Sequence, residues 1–146
     1  MIDYNKPLRT GYFQRLNGAV FSDSLAVPVY SQMAPNDAVY PYIILSTQTG
    51  VESSTKNNQG QDNTILIDIV TGFIGAINDE VADDIADQIY GLVHPADKNF
   101  VDVGPNLQIL STDLLLDTTV GGQNNTYKLF RRLIRFGHKI HERTFN

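Results

Sequence analysis

An α+β fold, in which a largely antiparallel sheet packs with two helices in a single domain spanning residues 1–146, is what the sequence predicts. Three observations lead there. Leu8, Tyr12 and Leu16 recur at i, i+4, i+8, and Val81, Ile85, Ile89 and Leu92 form a second helical stripe. Residues 42–47 and 64–73, rich in β-branched and aromatic side chains, and residues 107–118, with Leu110, Thr112, Leu114 and Leu116 alternating, read as strands. The helical and extended segments follow one another as helix, strands, helix, strands, which suits helices layered on an antiparallel sheet.

A chain of 146 residues has the length of one domain and buries one sizeable core. Apolar residues at 42% and charged residues at 18% argue against wholesale disorder. The chain has no cysteine, which excludes disulfides, thiolate metal sites and a cysteine nucleophile. No apolar run reaches the ~18 residues that cross a bilayer. The first residues, Met1 to Pro7, lack the basic start and apolar stretch of a signal peptide, so a soluble protein is expected. The net charge of −5 argues against a general nucleic-acid binder, yet the charge is segregated. Asp79, Glu80, Asp83, Asp84 and Asp87 lie close together, whereas Lys128, Arg131, Arg132, Arg135, Lys139 and Arg143 hold six of the eleven basic residues.

In chain order, Pro7 suits the first turn of a helix over 6–17, and Asn17-Gly18 stops it. Val27-Pro28-Val29-Tyr30 is a short extended segment whose proline favours a sheet edge. Turn chemistry at Ala34-Pro35-Asn36-Asp37 leads to the strand after Pro41. Residues 51–63 are nearly all polar, which predicts a long mobile hairpin loop. In the next strand Ile65, Ile67 and Ile69 line one face, Leu66 and Val70 the other. Such a strand is central and covered on both sides, by helix on one and by a neighbouring subunit on the other.

Asn78 is the expected N-cap of the second helix, and Pro95 ends it. The strand over 107–118 should place Leu110, Thr112, Leu114 and Leu116 on one face, before a turn at Gly121 to Asn125. Residues 127–140 fit helix or strand spacing; their aromatic and β-branched content favours strand, with Phe130, Ile134, Phe136 and Ile140 on one side.

Candidate chemistry is sparse. His138 and His141 beside Glu142 would point to opposite faces of a strand, and exposed tail histidines are the plainer reading. His94 precedes Pro95 at a helix end, where capping is ordinary. Asp79, Asp83 and Asp87 stack on one solvated helix face, and nothing apolar surrounds them to raise a carboxylate for acid–base work. Asp68 sits inside the central strand, where a cross-strand arginine is the expected partner. Serine-nucleophile, phosphate-loop and dinucleotide motifs are absent. The sequon Asn124-Asn125-Thr126 lacks a secretion signal. No enzymatic activity and no cofactor is expected.

The order of pieces resembles the tail-completion or tail-terminator proteins of tailed bacteriophages, with related head-to-tail joining proteins. The residues that carry the resemblance are Val27-Pro28-Val29-Tyr30, Tyr40-Pro41-Tyr42-Ile43-Ile44-Leu45, the polar loop, strand 64–73, the helix with Ile85, Ile89 and Leu92, and the arginine-rich segment 127–136. The resemblance implies a non-catalytic virion subunit of the head–tail junction, present in the host cytoplasm during assembly. It implies a ring homo-oligomer, commonly a hexamer, one face on the tail tube protein and the other on the head–tail connector or neck proteins. Nucleic acid would at most pass through the ring, and no membrane is involved. The candidate assembly contacts are Asp79, Asp83 and Asp87 approaching Arg131, Arg132 or Arg135 of an adjacent copy, with Lys56 as the sole cation of the 51–63 loop. The alternative is a small binding module whose basic C-terminal segment holds nucleic acid or another acidic partner.

Overall fold

Helix α1 spans Asn5–Leu16 in the computed structural model, which describes residues 1–143. Its buried side, Leu8, Gly11, Tyr12 and Leu16, follows the predicted spacing. Gly11 belongs there for a second reason: a Cβ at this position would strike the backbone carbonyl of Asp102. After Asn17 turns to extended geometry, Gly18 takes a positive φ of 77° that costs a glycine nothing sterically.

A small two-stranded ribbon follows, β1 (Phe21–Ser22) with β2 (Leu25–Ala26). The main sheet contains β3 (Val29–Ser31), β4 (Tyr42–Glu52), β5 (Gly60–Phe73), β6 (Leu107–Gln123) and β7 (Lys128–Glu142) in the order β3-β4-β5-β7-β6. All neighbours are antiparallel except β3 and β4. Helix α2 (Glu80–Val93) links β5 to β6. The fold is therefore the expected α+β layer, and β5 is its middle strand. The extended segment with Pro28 contributes an edge strand, and 127–140 is strand.

Alternation in the strands divides the sheet into two faces. Ile43, Leu45, Ile65, Ile67, Ile69, Ile134, Phe136 and Ile140 meet Leu8, Tyr12, Leu16, Ile85, Ile89 and Val93 in one core. The opposite face carries Ile44, Leu66, Val70, Leu129 and Leu133, and neither helix reaches it.

Several expectations are corrected. The loop expected over 51–63 shrinks to 53–59, because Val51 and Glu52 pair with Asp62 and Gln61, and Gly60 to Asn63 pair with β7. Polar side chains do not prevent a strand whose backbone is satisfied on both sides. Asn63 is buried, and its amide donates to Asn5 Oδ1 at 2.9 Å and Gln61 Oε1 at 3.0 Å. In β6, irregularities between Ile109 and Ser111 and between Leu114 and Leu116 break the alternation. Thr112 is buried, whereas Leu110, Leu114 and Leu116 are exposed, so the four do not share a buried face. Gly121 and Gly122 belong to β6; the turn begins at Asn124, whose Oδ1 accepts from the backbone N–H of Thr126 at 3.0 Å and Tyr127 at 2.7 Å. Asp79 occupies the N-cap of α2, and Asn78 supports the first turn by accepting from the Glu80 N–H at 3.1 Å.

Candidate assembly surfaces

Asp68 lies on the sheet face away from the helices, with its side chain only 5% exposed. Arg131 of the neighbouring strand pairs with it, Nε donating to Oδ1 at 3.2 Å and Nη2 donating to Oδ2. This is the cross-strand arginine the sequence called for. The bond to Asp68 holds the guanidinium's pKa above its ordinary value, against the opposing effect of burial. Beside the pair, Tyr30 and Tyr42 meet edge-on at 5.8 Å, Tyr42 stacks on Tyr40 at 5.5 Å, and Tyr40 meets Tyr127 at 5.0 Å. The Tyr40 ring rests on Gly72, where a Cβ would lie 2.6 Å from a ring carbon. Burial, followed by the neighbouring Tyr40, raises the Tyr42 hydroxyl above its usual range. The result is a mainly apolar and aromatic face around one neutralised ion pair.

Arg132, one residue on, points to the opposite side of β7. There its Nε and Nη2 donate to Asp117 at 2.9 and 2.7 Å, and its Nη1 donates to Asp83 at 2.9 Å. Tyr90 completes the cluster by donating to Asp117 Oδ2 at 2.7 Å. Arg132 is held above its ordinary pKa mainly by the Asp117 bond, and Asp117 is lowered mainly by the same bond. Burial first, and then the Asp117 bond, push Tyr90 up to about 12. The cluster ties α2 to β6 and β7 within one chain. Arg135, back on the open face, donates to Thr64 Oγ1 at 3.0 Å and Thr47 Oγ1 at 3.2 Å.

The expected site residues are thus distributed as follows. Asp83 and Arg132 meet inside one subunit, at 2.9 Å. Asp79 and Asp87 stay on the exposed face of α2, and Lys56 is exposed in the 53–59 loop. The basic segment is not one stripe, because strand alternation sends Arg131 and Arg135 to one face and Arg132 to the other. Lys139 stands opposite Asp62.

His138 corrects another expectation: it is 2% exposed rather than a surface histidine. Its Nε2 lies 2.5 Å from the Tyr12 hydroxyl and its Nδ1 2.9 Å from Thr112 Oγ1. Burial, assisted by the nearby His94, lowers its pKa to about 4. The available signal was parity: His138 shares the face of Ile134, Phe136 and Ile140. Among the described residues no group of three or more His, Cys, Asp or Glu converges as a metal site would require.

One edge of the sheet is β6, 17 residues long. Leu110, Leu114, Leu115, Leu116 and Val120 are between 43% and 55% exposed along it. It contains no proline and no lysine, residues that commonly protect an edge from pairing.

Fold and surface together define a small α+β domain with helices on one sheet face, an open apolar second face and a long apolar edge. No protein-family model matches the sequence, and no curated protein matches it significantly. Among solved structures, the fold is similar to that of a chain in the virion of a native gene transfer agent particle. The TM-score is 0.73 at 15% sequence identity, over 97% of this chain and 99% of that one. This likeness establishes the fold across nearly the whole of both chains.

Proposed function

We propose that the protein is a structural virion protein of the head–tail junction, forming a ring that completes or terminates the tail and docks it to the head connector. The observation that carries the reading is the open sheet face, where Ile44, Leu66, Leu129 and Leu133 are left half-buried around the Asp68–Arg131 pair. An apolar surface of this kind marks a site of protein contact. The match in length and fold to a chain of a gene transfer agent virion supports placing that contact in a particle. The subunit acts by packing, without catalysis or cofactor. Its partners are further copies of itself, the tail tube protein and the neck proteins. Asp79 and Asp87, which make no ion pair among the described residues, are the acids left to orient such contacts.

Particle assembly without the protein tests the reading. Heads and tails are expected to accumulate unjoined and to join when the purified protein is supplied. Normal joined particles in its absence would overturn it.

A further inference from the structure

The two ends of the sheet offer edges that fit one another. β3 covers only Ile43 to Leu45 of β4, so residues 46–52 meet no further strand on that side among the described residues. At the opposite end, β6 runs without irregularity from Leu116 to Gln123 and, among the described residues, is paired only with β7. The two free stretches are similar in length, roughly 25 Å at the usual strand rise. Neither contains proline or lysine.

Strand direction matches as well. β4, β5, β7 and β6 alternate strictly, so β6 runs opposite to β4. A second copy carried alongside by a rotation that keeps strand direction would bring its β4 antiparallel to the first copy's β6. Thr47, Thr49 and Val51 share the open face with Arg135 and Thr64, as do Leu116, Thr118 and Val120. Because a slip of one residue would turn each side chain to the wrong face, register parity is fixed. Facing Leu116 with Val51 sets Thr118 against Thr49 and brings Val120 to Thr47, within the irregularity of β4 between Leu45 and Gln48. That register also carries Asp113 toward the neighbour's 53–59 loop and its Lys56. Both residues are exposed, and neither makes an ion pair among the described residues.

We propose that the occupant of the β6 edge is the β4 edge of a second copy of this chain, joined antiparallel with Leu116 facing Val51. The join is head-to-tail, so each copy keeps one edge to offer the next, and the chain of copies closes into a ring when the rotation permits. The inference rests on the ring reading above and supplies its contact.

The absence of native cysteine makes a direct test available. Directly opposed residues of an antiparallel pair have Cβ atoms about 4.5–5.5 Å apart, which lies near the range a disulfide closes. The full chain carrying Leu116→Cys and Val51→Cys together is oxidised and run on a denaturing gel, beside each single variant. The double variant is expected to give a covalent ladder, and each single variant none. Leu116→Lys should leave the melting temperature unchanged and weaken self-association about tenfold, an effect of ~1.4 kcal/mol. If the double variant shows no ladder while native mass spectrometry still finds a closed oligomer, this join is overturned and the ring reading stands. If the unsubstituted protein is monomeric at every concentration, both fall. Dimers from Leu116→Cys alone would show β6 pairing with itself, and cross-linking of Leu116→Cys to a different virion protein would show another occupant; either overturns the proposal.

Discussion

The Tyr12 hydroxyl lies 2.5 Å from Nε2 of His138, tying the first helix to the last strand through the middle of the core. Thr112 holds the other ring nitrogen, so three elements meet at one buried imidazole. The arrangement suits a neutral ring, because protonation would place a charge where burial penalises it.

A pH dependence follows from this site. The unfolded chain's histidine binds a proton below its ordinary pKa of about 6.5, whereas the folded protein's His138 does so only below about 4. Between those values the unfolded state holds more protons, so stability falls as pH drops from ~6.5 and this contribution levels off below ~4, by roughly 3 kcal/mol in all. Thermal melts of the protein and of His138→Gln across that window check this. The variant is expected to lose less stability on acidification, and parallel curves would show that His138 does not titrate as described.

The Asp68–Arg131 pair should show an asymmetry. Arg131→Leu leaves a nearly buried carboxylate without its cation, whereas replacing both residues by leucine removes the uncompensated charge. Arg131→Leu is expected to cost about 1–3 kcal/mol, the low end reflecting the half-exposed guanidinium. The double variant should recover most of that loss in urea unfolding.

Gly11→Ala tests the close approach of α1 to the 101–104 segment. The added methyl meets the Asp102 carbonyl, and backbone cannot swing aside as a side chain can. A loss of about 1–3 kcal/mol is expected, although alanine is the better helix former. Unchanged stability in denaturant melts would show that the segment yields without cost.

Ile67 and Ile85, both fully buried in the shared core, lock the middle strand to α2. Truncation of either to alanine should cost about 2–5 kcal/mol, read as a drop in melting temperature.

The layers of this fold were legible wherever burial imposes a period. Leu8, Tyr12 and Leu16 announced α1, and Ile65, Ile67 and Ile69 announced the middle strand. The uncovered side of that strand was legible too, since Leu66 and Val70 required a second apolar face. What escaped reading depends on partners distant in sequence. Gly60 to Asn63 look like loop until β7 is alongside to satisfy their backbone. Thr112 and the leucines of β6 exchange roles because extra residues are inserted into the ladder, which alternation cannot reveal. His138 gave the right parity, but its polarity obscured a core role that Tyr12 and Thr112 make tolerable. The arginines were read as one basic segment, and only the settled strand geometry shows Arg132 serving α2 while Arg131 serves Asp68.

A native mass spectrum of the purified protein tests the ring reading most directly. The account predicts a closed oligomer at one integer multiple of the 16.3 kDa chain, with the sixfold assembly expected, and no open series of sizes. A spectrum holding only the 16.3 kDa monomer, at every concentration at which the protein stays in solution, would contradict it.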